Sequence, residues 1–150
     1  MRDLLVIALG SPLLVGVYEE GRLVERVESD EKSSDALPAI CAELGERYDF
    51  DRLAYAKGPG SFMSIKVAYI FLKTLSIAKG VPLLATDAFY FNENAPIKAV
   101  GKLCFVKTSE GIVTRMFEEV PLNRFRLPEH LALEDFDTDT APYYGIGAVG

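Results

Sequence analysis

The chain has 150 residues, 49% hydrophobic and 25% charged, with 12 glycines and 8 prolines. This excludes a disordered, collagenous or low-complexity chain, and the length suffices for one domain or two small lobes without disulfide or metal staples. Sixteen Lys and Arg against 22 Asp and Glu leave a net charge of −6, which repels phosphate backbones and argues against a protein that binds nucleic acid alone.

The start, Met1-Arg2-Asp3, runs straight into a short apolar stretch without a spaced cleavage signal. No stretch approaches the roughly 20 apolar residues that span a bilayer, so a soluble, cytoplasmic protein without membrane contact is expected. Residues 4–9 are continuously apolar, as in a central strand covered on both faces. Gly10-Ser11-Pro12 turns the chain, residues 14–18 read as a second strand, Glu20-Gly21 as a tight turn, and residues 22–27 as a third strand with Leu23 and Val27 alternating. Short turns predict an antiparallel meander. A helix is then expected from Ser33 or Ser34 as cap, with Asp35 favouring its positive end and Pro38 tolerable near the first turn. Leu37, Ile40, Cys41, Leu44 and Tyr48 form its apolar stripe.

Residues 53–56 read as a fourth strand, followed by a long helix from Ser61 to about Lys79 that Gly80 and Pro82 stop. Residues 81–85 read as a fifth strand. Strand, loop, helix, strand is a crossover unit, so the fourth and fifth strands should be parallel. Residues 97–107 and 111–118 predict a hairpin, followed by 122–127, an acidic stretch over 129–139 and a short Gly-rich end over 141–150. Cys41 and Cys104 sit far apart among apolar neighbours and read as buried reduced thiols rather than a disulfide or a metal pair.

Gly58, Pro59, Gly60 and Ser61 lie between a buried strand and a helix start, where backbone N–H groups and the helix dipole can hold phosphate. The stretch lacks the Lys-Ser/Thr ending of a P-loop and the glycine spacing of a dinucleotide fingerprint. On chemistry alone, a turn that the glycines permit, Pro59 stiffens and Ser61 caps outweighs a phosphate site.

Residues 57–66, Lys-Gly-Pro-Gly-Ser-Phe-Met-Ser-Ile-Lys, resemble the G-P-G-S-F-T-G-[IL]-R segment of the TsaB (YeaZ) family. Residues 5–14 resemble that family's first strand and turn, I-D-T-S-T-P. Lys32-Ser33-Ser34-Asp35-Ala36-Leu37-Pro38 resembles its H-S-E-x-L-L-P helix start, and residues 80–86 resemble G-[IV]-P-L-x-G-V-S. The match covers about the first 92 residues. It implies an α/β fold of the actin-like ATPase, ribonuclease-H-like type. A β-β-β-α-β-α-β first lobe would occupy residues 1–92, and a shortened, β-rich second lobe residues 93–150.

The resemblance also implies a non-catalytic subunit that binds and organises TsaD in the threonylcarbamoyl modification of adenosine 37 in tRNA. A TsaE-like ATPase would be a further partner, tRNA would be reached only through partners, and the protein alone would form a homodimer. No cofactor is expected, and any nucleotide should bind only weakly, at an interface of the complex. The family's early Asp is Ala8 here, its His-Ser-Glu is Ser33-Ser34-Asp35, and its Thr-Gly-x-Arg is Met63-Ser64-Ile65-Lys66. In actin-like ATPases that Asp organises metal and phosphates, so Ala8 removes a principal ligand and argues against the alternative, a small ATPase or kinase using Gly58 to Ser61 for phosphate. A dimeric protein with some other partner is the third reading.

No catalytic set can be assembled. TsaD binds its metal through paired histidines on a helix, whereas His130 is the single histidine here, and no Ser/His/Asp or Cys/His arrangement exists without it. Glu134, Asp135, Asp137 and Asp139 lack the glycine-punctuated spacing of a cation loop and read as a solvated acidic loop. In the long helix, Val67, Ala68, Phe71, Leu72, Leu75 and Ala78 should face the sheet. Met63, Ile70 and Ile77 recur every seven residues on the opposite side, with Lys66 and Lys73 between them. That rhythm is a helix–helix seam, formed either with another molecule, the favoured reading, or with a second layer of the same chain.

Overall fold

The apolar run after Asp3 forms the central strand, β1 (Arg2–Ile7), buried from Asp3 onward. The fold comes from a computed structural model that describes residues 1–122 and 124–144. β2 (Leu13–Glu19) and β3 (Arg22–Ser29) complete an antiparallel meander with β1. Glu20 and Gly21, at φ 50° and 79°, supply the two left-handed residues of the tight turn. After α1 (Ser33–Arg47), β4 (Arg52–Ala56) pairs parallel with β1; after α2 (Phe62–Lys79), β5 (Leu83–Thr86) pairs parallel with β4. The sheet order is β3-β2-β1-β4-β5.

Opposed residues in paired strands point to the same face. One face therefore carries Leu4, Val6, Val15, Val17, Leu53, Tyr55 and Ala85. The helices cover it: α1 packs beside α2, and Tyr69 of α2 approaches Tyr55 at 6.0 Å between ring centres. The other face carries Ile7, Leu14, Gly16 and Tyr18. The returning C-terminal segment covers it, with Leu127 over Gly16 and the Tyr18 hydroxyl donating to the Pro128 carbonyl at 2.7 Å. Asp3 is buried on this face and accepts both Nε and Nη2 of Arg52 at 2.7 and 2.8 Å.

Several helix-end expectations need correction. Lys32, not Ser33 or Ser34, is the N-cap of α1, and no side chain caps it; Ser33 is the first helical residue and is buried. Pro38 is the sixth helical residue, in the second turn, where it removes a bond to the Ser34 carbonyl. Ser61 does occupy the N-cap of α2, but its hydroxyl makes no capping bond. Gly80 ends that helix as expected, in the left-handed conformation at φ 67°.

The predicted long first arm of the later hairpin is two strands. β6 (Ile97–Val100) and β7 (Leu103–Thr108) are separated by a turn in which Gly101 has φ 57°, and β8 (Gly111–Met116) completes a separate three-stranded sheet. Residues 122–127 form no strand among the described residues. The acidic stretch contains one 3-10 turn, Leu133–Asp135, and touches the first sheet through the Arg22–His130 and Ala85–Asp137 bridges. The Gly-rich end from residue 145 onward lies outside the described residues. Cys41 and Cys104 are free and buried, and burial pushes the Cys41 thiol up to about 12, far from a reactive thiolate.

Candidate functional site

The loop after β4 is closed rather than cradle-shaped. Gly58 and Pro59 are buried, and Gly58 has φ 117°. Its carbonyl accepts the Ala88 N–H at 2.8 Å, while the flanking Lys57 donates its N–H to Thr86 and accepts that of Tyr143 at 2.6 Å. A Cβ on Gly58 would stand 2.0 Å from the Tyr143 carbonyl oxygen. The Ser61 N–H, one of the donors a phosphate would need, is taken by the Leu9 carbonyl at 2.9 Å. The Lys57 ammonium sits 3.2 Å from Asp137 and 3.1 Å from the Asp139 carbonyl. Gly58, Pro59, Gly60 and Ser61 thus join β4, the end of β1 and the C-terminal segment.

Gly60 is packed against Leu9: a Cβ there would lie 2.9 Å from the Leu9 carbonyl oxygen and 3.0 Å from its Cβ. The nearest atom is backbone, which cannot swing aside. Gly60→Val is therefore expected to destabilise the fold by about 1–3 kcal/mol, read as a lower midpoint in urea unfolding; an unchanged midpoint contradicts the packing.

The exposed face of α2 is apolar where a free helix should be polar. Met63, Ile70 and Ile77 are 62%, 53% and 73% exposed, and Lys66 and Lys73 are exposed between them. Nothing among the described residues covers this stripe, so the alternative of a second layer from the same chain finds no support there. The sheet-facing stripe needs adjustment. Ile65, Ala68 and Leu72 are its buried centre, Phe71 and Leu75 pack at its margin, Val67 is half-buried and Ala78 is exposed. Lys66 also stands over the Phe62 ring at 6.0 Å, and that ring meets Tyr144 at 4.4 Å.

Ala8 is buried at the end of β1, with no carboxylate side chain at the position the resemblance marks. His130 is exposed on a bridge with Arg22. Among the described residues, no group of three or more His, Cys, Asp or Glu could hold a metal ion, and no helix is long and apolar enough to cross a membrane. Sequence reading missed two cavities beside residues 124–127. One, of about 730 Å³, includes Leu9, Gly10, Arg26, Glu28 and Arg124 in its walls. The other, of about 390 Å³, lies against Tyr90, Phe91 and Asn92. Their walls come from segments distant in sequence, so no local pattern marks them.

A mixed sheet in the order β3-β2-β1-β4-β5 with helices on its crossovers has the topology of the expected actin-like, ribonuclease-H-like fold. Comparison with known proteins agrees. Residues 31–90, from the start of α1 to beyond β5, match the model of the TsaD family, tRNA N6-adenosine threonylcarbamoyltransferase. Among solved structures the chain is similar to YeaZ from Pseudomonas aeruginosa, with a TM-score of 0.58 and 19% identity over 85% of this chain and 70% of that one. It is also similar to a protein described as resembling the peptidase YeaZ from Pseudomonas aeruginosa, with a TM-score of 0.53 and 19% identity over 76% of this chain and 63% of that one. No curated protein gives a significant match. The fold is YeaZ-like, and the chain spans about two thirds of these two structures' lengths.

Proposed function

We propose that this chain is a TsaB-like, non-catalytic subunit that binds and organises a TsaD-like protein in the threonylcarbamoyl modification of tRNA adenosine 37. The observation that carries the reading is the uncovered stripe of Met63, Ile70 and Ile77 on α2. Each fully buried aliphatic side chain is worth roughly 1.5–3 kcal/mol, so several together can drive association. Lys66 and Lys73 along the stripe select an acidic partner helix and raise the on-rate. The neighbouring α1 exposes Asp35 and Glu46. Carboxylates of this kind are what Lys66 and Lys73 of a second copy would pair with across a two-fold axis. The same surface serves the homodimer and, in the complex, the TsaD-like partner. With a net charge of −6, tRNA contact falls to partners, which include a TsaE-like ATPase. Copurification of the full chain with the TsaD-like protein of its own organism tests the reading, and failure to associate overturns it.

The purified protein is expected to hydrolyse ATP no faster than a buffer blank, because Ala8 stands where a metal-organising carboxylate would be needed. A phosphate-release assay checks this. Turnover above the blank that Ala8→Asp does not increase contradicts the non-catalytic reading.

A further inference from the structure

The chain covers part of both edges of its first sheet with its own C-terminal segment. At β3, the Leu23 N–H donates to the Glu129 carbonyl at 2.9 Å and the Leu131 N–H to the Gly21 carbonyl at 2.8 Å. The rest of β3 carries Glu25, Arg26 and Glu28, and charges on an edge discourage further pairing. At β5, Ala85 and Asp137 exchange backbone bonds at 3.0 and 2.7 Å. In the second sheet, β6 is broken by an irregularity between Lys98 and Val100, which also blunts an edge. β8 has none of these protections along its length. Its register with β7 runs unbroken from Gly111 to Met116, it contains no proline, and Arg115 is its one charged residue.

The Phe117 N–H bonds to the Lys102 carbonyl at 2.8 Å, so Phe117 and, by alternation, Arg115, Val113 and Gly111 turn their backbone groups toward β7. Ile112, Thr114 and Met116 turn theirs outward, and among the described residues none of the three has a backbone partner there. Two rows of side chains run across the sheet to this edge. Val100, Leu103 and Met116 form an apolar row whose ends are 64% and 70% exposed. Lys98, Cys104 and Arg115 form the next row, on the opposite face, with an exposed cation at each end. The Arg115 side chain has no ion pair or hydrogen bond among the described residues. Glu110 and Glu118 stand just beyond the two ends of β8.

We infer that the β8 edge receives, antiparallel, an extended segment of a partner protein in which apolar and acidic residues alternate. Its backbone pairs with the outward groups of Ile112, Thr114 and Met116, which is recognition by strand addition. Its apolar side chains lie on the Met116 face and prolong that row. Its carboxylates lie on the other face, one of them directly across from Arg115. Glu110 and Glu118 repel acids at the ends of the segment, so its carboxylates belong at the centre. The chain already contains this mode of pairing: Asp137 lies on the β5 edge with its carboxylate 3.2 Å from Lys57 Nζ. The edge is separate from the α2 face and does not depend on the reading of that face.

The probe is the peptide acetyl-Thr-Val-Glu-Val-Glu-Val-Thr-amide, titrated into the full chain and followed by amide NMR. Binding at a dissociation constant of about 1 mM or tighter is expected, with the Ile112, Thr114 and Met116 amides shifting and exchanging more slowly. The same peptide with Lys for each Glu should bind at least about tenfold more weakly, as should one N-methylated at its valines, whose N–H groups face β8. Thr114→Pro removes one outward donor. Because that N–H is unpaired on an edge strand, the variant should stay folded by circular dichroism while losing about tenfold or more in affinity. Arg115→Glu changes an exposed side chain without touching the backbone, and should reverse the preference toward the lysine peptide. The inference is overturned if the glutamate peptide does not bind or shifts amides away from β8, or if either control peptide binds as well. It is equally overturned if folded Thr114→Pro binds as tightly as the parent chain, or if Arg115→Glu leaves the preference unchanged. Self-association of Ile70→Asp that Thr114→Pro removes would assign the edge to a second copy instead, which also overturns it.

Discussion

Ile70→Asp is expected to leave the monomer folded and to abolish both self-association and capture of a TsaD-like partner. The side chain is 53% exposed, so a carboxylate there keeps its water in the monomer and should change stability by about 0.5 kcal/mol or less. In an association that covers the stripe, the same carboxylate would be stripped of water between Met63 and Ile77. An unpaired buried charge costs several kcal/mol, and each 1.4 kcal/mol is about tenfold in affinity, so a loss of at least about a hundredfold follows. Circular dichroism reads folding, and light scattering and pull-down read the two associations. A variant that still dimerises and still captures its partner places the interface elsewhere. An unfolded variant would contradict the exposure of Ile70 itself.

The second large effect is expected from Gly58→Ala. At φ 117° an L side chain is strained, and its Cβ would lie 2.0 Å from the Tyr143 carbonyl oxygen. Segment 137–144 must then lift from the loop. It would lose the Tyr143–Lys57 backbone bond, the bond from the Tyr55 hydroxyl to the Thr140 carbonyl, and the contact of Tyr144 with Phe62. A loss of about 2–4 kcal/mol is expected. Thermal unfolding measures the total, and faster amide exchange confined first to residues 137–144 identifies its origin. An unchanged melting temperature would mean that Tyr143 does not press on Gly58.

The elements legible in the sequence were those whose local chemistry and packing agree. The apolar runs before Gly10 and before Lys57 became β1 and β4 because a strand between two covered faces needs apolar residues throughout. Gly80 ends α2 because a left-handed residue there costs glycine little, and Pro82 cannot extend the helix. Met63, Ile70 and Ile77 were legible as a surface stripe because their seven-residue repeat nearly matches two helical turns.

Local pattern misled where neighbours distant in sequence decide. Two serines and an acid suggested a cap for α1, yet packing buries Ser33 and moves the cap to Lys32. The apolar residues around Gly101 suggested one strand, although its left-handed backbone breaks the pairing into β6 and β7. The face of α2 toward the sheet is centred on Ile65, Ala68 and Leu72, which depends on how the helix rolls against β4 and β5. Nothing local marks Asp3 as a buried residue; Arg52, 49 residues away, lets it be buried.

The order of strands and helices in the five-stranded sheet, the stops between them and the apolar repeat on α2 could be read from the chain alone, because each depends on residues within a few turns of one another. The tertiary structure decided that this repeat is uncovered by the described residues and that the glycine loop is closed. It also decided that Asn92, Glu93, Arg124 and Arg126 share a cavity. The Tyr55–Thr140 contact spans 85 residues. Packing brings such distant groups together, and neither local propensity nor periodicity carries that information.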